Sequence, residues 1–290
     1  MTTRFTVLAS GSSGNCSLLE VDGYGLLIDC GLPPRELGRR LAAVGRGWDH
    51  VSAAVLTHTH GDHWNRFTFS QLAKLKRPLV AHPRHHTALE DRDEHQALAK
   101  AGQLKTYEDG RWSAVAPGLA CLPVAVPHDA DPTFGFRFEV RTPAGHVAVG
   151  YASDVGEPTP ALLAAFTGVD LLALEFNHDV QLQKTSRRPL ILVRRVLGSH
   201  GHLSNGQAAE VARAVDRSAG LRWLIPLHLS RECNRPELAL AAARQAAPRA
   251  EVVLGNQFEP IPPITLAGRP ADARRAVSTT VPAQPGLPGL

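Results

Sequence analysis

The segment Val51–Leu56 is an apolar run of strand length, and it opens directly into His58-Thr59-His60-Gly61-Asp62-His63. That junction constrains the fold more than any other feature, because four metal-ligating side chains in six residues need a rigid strand behind them to aim them. His58 and His60 leave the strand in extended backbone, where alternate residues point the same way, so both imidazoles can reach one ion. Gly61 permits a tight turn that directs Asp62 and His63 to a second ion. Imidazole and carboxylate together suit zinc or manganese. A solvated loop could also carry histidines, but three of them with an aspartate straight after a buried strand favour metal binding.

The remaining ligands must come from distant sequence, and the chain offers them at the ends of other predicted strands. Phe5–Leu8, Ser17–Val21 and Gly25–Ile28 have strand character, broken by the turn-rich Ser10–Asn15 and by Asp22-Gly23. A helix is expected over Pro33–Val44, and strand–helix alternation continues through Phe69–Leu75, Leu79–Ala81 and His85–Lys100. In the second half Leu119–Val126 runs towards His128, His146–Tyr151 towards Asp154, Leu171–Leu174 to Glu175, and Leu221–Leu227 to His228. Ser204 caps a helix that ends before Gly220. Taken singly, an aspartate after a strand is usually a turn residue and a histidine usually a packing residue. Their shared strand-end placement instead assigns His128 to the first ion, His228 to the second, and Asp154 to a bridge between them.

Composition narrows the setting. The chain has 290 residues, 43% hydrophobic and 20% charged, as ordinary globular proteins do. No apolar run approaches the roughly 20 residues of a membrane span. Near the N-terminus only Thr6-Val7-Leu8-Ala9 is apolar before glycine and serine take over, which does not read as a secretory leader. A cytoplasmic protein without a membrane partner is expected. Cys16, Cys30, Cys121 and Cys233 form no CxxC pair and read as free thiols. A net charge of +4 does not by itself imply nucleic acid, whereas 14 histidines invite a search for metal spacing. A catalytic domain is expected over 1–259, and a disordered tail over 260–290, where Pro, Ala and Gly dominate.

Over residues 4–258 the sequence resembles the metallo-β-lactamase superfamily, and within it the YycJ/WalJ-type metallo-hydrolases of bacteria, a group associated with DNA exonuclease activity. The residues that carry the resemblance are Leu8–Asn15, Leu27–Gly31, His58–His63, Pro127–Ala130, Glu175–Asp179, Gly201–Asn205 and His228–Ser230. The resemblance implies an α/β fold, a four-layer αββα sandwich. Two departures stand out: Arg231-Glu232-Cys233-Asn234 where members often carry Glu-Asn-Asn, and an Arg-rich stretch between His178 and His202.

Two ions roughly 3.5–4 Å apart would share a water, lower its pKa towards neutrality as a bridging hydroxide, and neutralise oxyanion charge. Asp62 and Asp154 would hold the metals and orient that group. Asp29 either supports a ligand histidine from behind or caps the turn at Cys30-Gly31. His202 and His178 are candidates for contacting phosphate or protonating the leaving group. Ser12, Ser13 and Asn15 could form an anion-binding nest or an ordinary hairpin turn. Asn177, Ser204 and Asn205 fall in segments typical of the subgroup and are expected at the substrate. His82, His85, His86, His95, His146 and His200 are assigned to surface or packing.

A nuclease acting on DNA is the leading expectation: Lys184, Arg187, Arg188, Arg194 and Arg195 could follow a phosphate backbone or form an ordinary solvated helix face, and without interleaved aromatic residues they do not read as a stacking platform for single strands. The alternative is a small-molecule acyl hydrolase, opening a thioester, lactone or β-lactam on the same metal frame. A metal-holding binding module is a third reading. Oligomeric state is left open.

Overall fold

The alternation of apolar residues along the strands decides how the layers stack. The structure is a computed structural model that describes residues 2–130, 132–142 and 145–269. The first half runs β1 (Thr3–Ala9), β2 (Cys16–Val21), β3 (Tyr24–Ile28), α1 (Pro34–Ala43), β4 (Ala53–Val55), α2 (Arg66–Lys74), β5 (Leu79–Ala81), α3 (Pro83–Leu89), α4 (Asp93–Lys100) and β6 (Leu104–Thr106). The second runs β7 (Ser113–Ala116), β8 (Leu119–Val126), β9 (Thr133–Thr142), β10 (Gly145–Ala152), α5 (Pro160–Phe166), β11 (Leu171–Glu175), α6 (Val180–Lys184), α7 (Leu190–Leu197), α8 (Asn205–Ala219), β12 (Trp223–Leu227), α9 (Pro236–Ala246), β13 (Glu251–Val252) and β14 (Ile264–Leu266).

Among the described residues there are two seven-stranded sheets, in the orders β14-β1-β2-β3-β4-β5-β6 and β13-β12-β11-β10-β9-β8-β7; the first joins the six strands of the first half to β14 from the end of the second. Phe5, Val7, Leu26 and Ile28 of the first sheet meet Phe134, Phe136, Phe138 and Val149 of the second in one buried core. The residues between them turn the other way. Leu8, Leu18 and Leu27 pack on Leu37 and Leu41 of α1 and on Phe69 and Leu72 of α2. Leu172 and Leu174 pack on Leu162 and Phe166 of α5 and on Val211 and Ala212 of α8. The layering is therefore helix, sheet, sheet, helix, as the αββα expectation required.

Each sheet is antiparallel over its first strands and parallel over its later ones, β3-β4-β5-β6 and β10-β11-β12-β13. The C-terminal ends of the parallel strands consequently lie along one edge of the sandwich, where Asp29, His58, Asp154 and His228 follow them and Glu175 closes β11, while His128 follows β8 of the antiparallel part. Two of these positions, Asp29 (φ 60°) and His228 (φ 53°), adopt left-handed backbone, which non-glycine residues seldom do and which clusters at functional sites. Gly31 is required beside them, since a Cβ there would stand 1.9 Å from the Asp62 carbonyl oxygen.

The expected helix over His85–Lys100 is two helices, α3 and α4, separated by a turn in which Arg92 N–H donates to the Leu89 carbonyl. The expected start of a disordered tail at 260 needs correction. Ile264–Leu266 pairs antiparallel with Thr3–Phe5, and Arg269 exchanges backbone hydrogen bonds with His146. Residues 260–269 therefore belong to the folded body; residues 270–290, the rest of that expected tail, lie outside the described residues. No described helix is long and apolar enough to cross a membrane.

Candidate metal centre

Six imidazoles converge at the strand-end edge. Ring centroids of His58 lie 4.8 Å from His60, 4.0 Å from His63 and 5.3 Å from His128, and His228 lies 6.2 Å from His63 and 5.3 Å from His202. Three sets of donor atoms each fall within 4.8 Å of one another: His58, His60 and His128; His58, His63 and Asp154; and Asp154, Glu175, His202 and His228. Asp154 and His58 each belong to two sets, so the groups form one continuous centre. Asp62 joins from the side, its Oδ2 3.7 Å from His63 Nε2 and 3.6 Å from His228 Nε2. All seven expected ligands are thus brought together.

Groups behind the centre orient the rings. His63 Nδ1 donates to Asp29 Oδ2 at 2.8 Å, while Thr57 donates its N–H and its hydroxyl to the same carboxylate. Nε2 of His63 is thereby turned to Asp154, 2.6 Å away. His128 Nδ1 donates to the Gly201 carbonyl at 2.8 Å, leaving Nε2 towards His60. Gly201 can present that carbonyl because it has no Cβ; one would stand 2.3 Å from both the Arg195 and the Val196 carbonyl oxygens.

Electrostatics follow burial and these partners. Burial, then the neighbouring imidazoles, holds His58 well below the ordinary histidine range, which keeps a lone pair free. Burial also works against charge on Asp154, but His228 and His63 overcome it and hold the carboxyl well below its usual range. For His63 burial is outweighed by Asp29 and Asp154, which raise it to about 10. Despite the short contacts, neither Asp154 oxygen nor Nε2 of His58 or His228 has a hydrogen-bond partner among the described residues. Buried donors and acceptors are normally paired, and orphans facing one another around an anionic carboxylate fit a divalent cation. The donor set of imidazoles and carboxylates suits divalent metal ions.

Beside the centre opens a pocket of about 140 Å³, walled by Ser12, Asn177, His202, His228 and Ser230 and, from α7 and the segment before it, by Arg188, Leu192 and Arg195. Arg188 is held by Glu232 at 2.8 Å, and Arg195 pairs with Asp129.

The chain matches, over residues 24–229, the family described as the beta-lactamase superfamily domain. It belongs to that superfamily. Exodeoxyribonuclease WalJ of Streptococcus pneumoniae serotype 2 (strain D39 / NCTC 7466) is 29% identical over 259 residues, 88% of this chain and 92% of that protein. Exodeoxyribonuclease YycJ of Bacillus anthracis is 28% identical over 270 residues, 89% of this chain and 94% of that protein. The metallo-β-lactamase fold protein YhfI from Bacillus subtilis superposes with a TM-score of 0.65 at 17% identity, covering 90% of this chain and 99% of its own. Family and relatives together make the chain a hydrolase, with a centre suited to divalent metal ions.

The second tier of expected residues divides. His202 lines the pocket, and its Nδ1 is bonded to Glu175 Oε1 at 2.7 Å. Burial opposes charge on His202, but Glu175 and Asp154 raise it to about 9. His178 is buried away from the pocket walls with both ring nitrogens unpartnered among the described residues, so the structure does not place it at a reacting group. Ser12 and Asn177 are at the pocket, although the Asn177 amide is committed to the His228 carbonyl. In the turn read as either an anion nest or an ordinary hairpin turn, Gly11 N–H donates to Asn15 Oδ1, Ser13 N–H to Gln257 Oε1, and Asn15 N–H to the Asp62 carbonyl. Those amides are used internally, and buried Asn15 steadies Asp62 through an Nδ2–Oδ2 bond of 3.2 Å. Ser204 caps α8, and Asn205 forms a reciprocal amide pair with Asn234; neither lines the pocket beside the centre.

Glu175 was assigned no role from sequence. It is fully buried; Oε1 accepts from His202 and His228, and Oε2 accepts from the N–H groups of Val155 and Leu203. A signal existed: it is the charge that closes the all-apolar Leu171–Leu174.

Proposed function

We propose that the chain is a dinuclear, zinc- or manganese-dependent phosphodiesterase of the cytoplasm that degrades DNA from an end. The observation that carries the reading is Asp154, whose carboxylate is grouped with His58, a ligand of the first ion, and with His63 and His228, ligands of the second, so that one carboxylate can serve two ions. His58, His60 and His128 would hold the first ion, and Asp62, His63 and His228 the second. When bound, such ions act as Lewis acids, bring the pKa of a water near neutrality and offset charge on a phosphoryl oxygen.

The protein's own groups supply the rest. Asp29 fixes the His63 ring, and the Gly201 carbonyl fixes that of His128. Glu175 holds Nδ1 of His202, which leaves Nε2 of a protonated imidazole to donate to the departing oxygen. Arg188 and Arg195 line the pocket where a phosphate would sit, and guanidinium matches phosphate geometry. Two arginines at the pocket favour a phosphodiester over a neutral acyl substrate. The homologous exodeoxyribonucleases support DNA.

The test is an assay of protein reconstituted with zinc or with manganese, on end-labelled single- and double-stranded DNA, RNA, a thioester and a chromogenic cephalosporin. Progressive loss of nucleotides from a DNA end, abolished in His58→Ala, is expected. Turnover confined to the acyl substrates would refute the assignment.

A further inference from the structure

The helix beside the pocket carries apolar side chains that nothing in the fold covers. Leu190 is 73% and Ile191 81% exposed, the two most exposed large apolar residues among those described. They form the first turn of α7, between Arg188 and Leu192, both of which wall the pocket. The inner side of the same helix is buried through Val193 and Val196. A fold this size can keep single apolar side chains in water without purpose, but two adjacent ones at the lip of a site are worth explaining.

Charge around them identifies the occupant. Between Asp179 and Glu210 the sequence has no acidic residue, while Lys184, Arg187, Arg188, Arg194 and Arg195 are all basic. Lys184, Arg187 and Arg194 are exposed. Among the described residues none of those three has an ion-pair partner, in contrast to Arg188 and Arg195. A lipid surface or a second protomer could use apolar groups with basic neighbours. The position against a pocket already supplied with Arg188 and Arg195 instead favours a polyanion whose apolar parts are planar bases.

We infer that α7 is the docking site for an unpaired stretch of the nucleic acid next to the scissile phosphate, with Leu190 and Ile191 packed against base faces and Arg187 and Arg194 against the backbone. Bases lie apolar-face outward only when unstacked, so this surface selects single-stranded or frayed ends over intact duplex. The inference rests on the phosphodiesterase reading and deepens it.

A phosphorothioate-linked single-stranded 12-mer carrying 2-aminopurine, titrated with metal-reconstituted protein, tests it. In the Leu190→Ser/Ile191→Ser variant the dissociation constant should rise on the order of ten-fold, with loss of the 2-aminopurine signal change. Arg187→Ser and Arg194→Ser should each reduce the slope of log affinity against log salt by about 0.7. Hydrolysis of bis(p-nitrophenyl) phosphate, too small to extend from the pocket to Arg187, Leu190, Ile191 or Arg194, should stay unchanged in all three. Unaltered oligonucleotide binding in the double serine variant, while the wild type degrades DNA, overturns the docking site and leaves the function intact. A wild-type dimer that the double variant converts to monomer also overturns it, by assigning the face to a second copy. Failure of the wild type to cleave any DNA overturns the function first.

Discussion

Replacing Glu175 with Gln probes proton donation by His202, with the nitrophenyl rate as the control for metal binding because Glu175 also holds His228. The substitution keeps volume but removes charge from a side chain with all four of its contacts filled, two by imidazoles and two by backbone N–H groups. One half of the new amide is a donor, and every available partner is itself a donor in the native arrangement. A hydrogen bond to a charged group contributes about 1.5–3 kcal/mol, so loss of the 2.7 Å bond to His202 corresponds to roughly 10- to 150-fold in rate. The assay is kcat on an oligonucleotide against kcat on bis(p-nitrophenyl) phosphate, whose leaving group departs without a proton. The oligonucleotide rate should fall by that factor and the nitrophenyl rate far less. His202 must be protonated to act, and its raised value, about 9, rests on Glu175 and Asp154. In the variant the alkaline limb of the pH–rate profile should therefore move to lower pH. Equal losses on both substrates, with the limb unmoved, would refute a proton-donating role for the pair.

Three further outcomes follow from the packing. Phe136→Ala, fully buried between the sheets, should cost about 3–5 kcal/mol in denaturant unfolding. His85 is buried, and burial pushes it down to about 4, so the unfolded chain takes up a proton first; stability present above pH 6.5 should fall by about 1.4 kcal/mol by pH 5.5, a loss that His85→Gln removes from the pH dependence measured by chemical denaturation. Chelation should lower the melting temperature, since ions that bind only the folded centre stabilise it, and re-addition of zinc should restore it; an unchanged Tm after verified metal removal would count against a ligand role for the orphaned nitrogens.

The clustering of the proposed ligands was legible because they follow strand ends, and the strands bring those ends to one edge. His58, Asp154 and His228 share that signal although they are far apart in sequence. Glu175 shares it too, yet a lone carboxylate after four apolar residues does not reveal that it faces two imidazoles. The Ser10–Asn15 turn shows a different limit. Its amides are consumed by Asn15 and by Gln257, the latter 244 residues from Ser13, so only the tertiary fold tells an anion nest from a self-satisfied turn. Ser204 was readable as a helix cap, with Gln207 three residues on completing the capping box, and that local role accounts for its hydroxyl. At Ile264–Leu266 composition misled. The Pro-rich stretch from 260 reads as a tail, whereas the free edge of β1 recruits three of its residues, Ile264–Leu266, as a strand.

Crystals soaked in zinc and measured at the zinc absorption edge address the central claim most directly. Two anomalous peaks about 3.5–4 Å apart are expected, with a carboxylate oxygen of Asp154 at each and His58, His60 and His128 around one of them. A single peak, or a pair held without Asp154, would contradict the account.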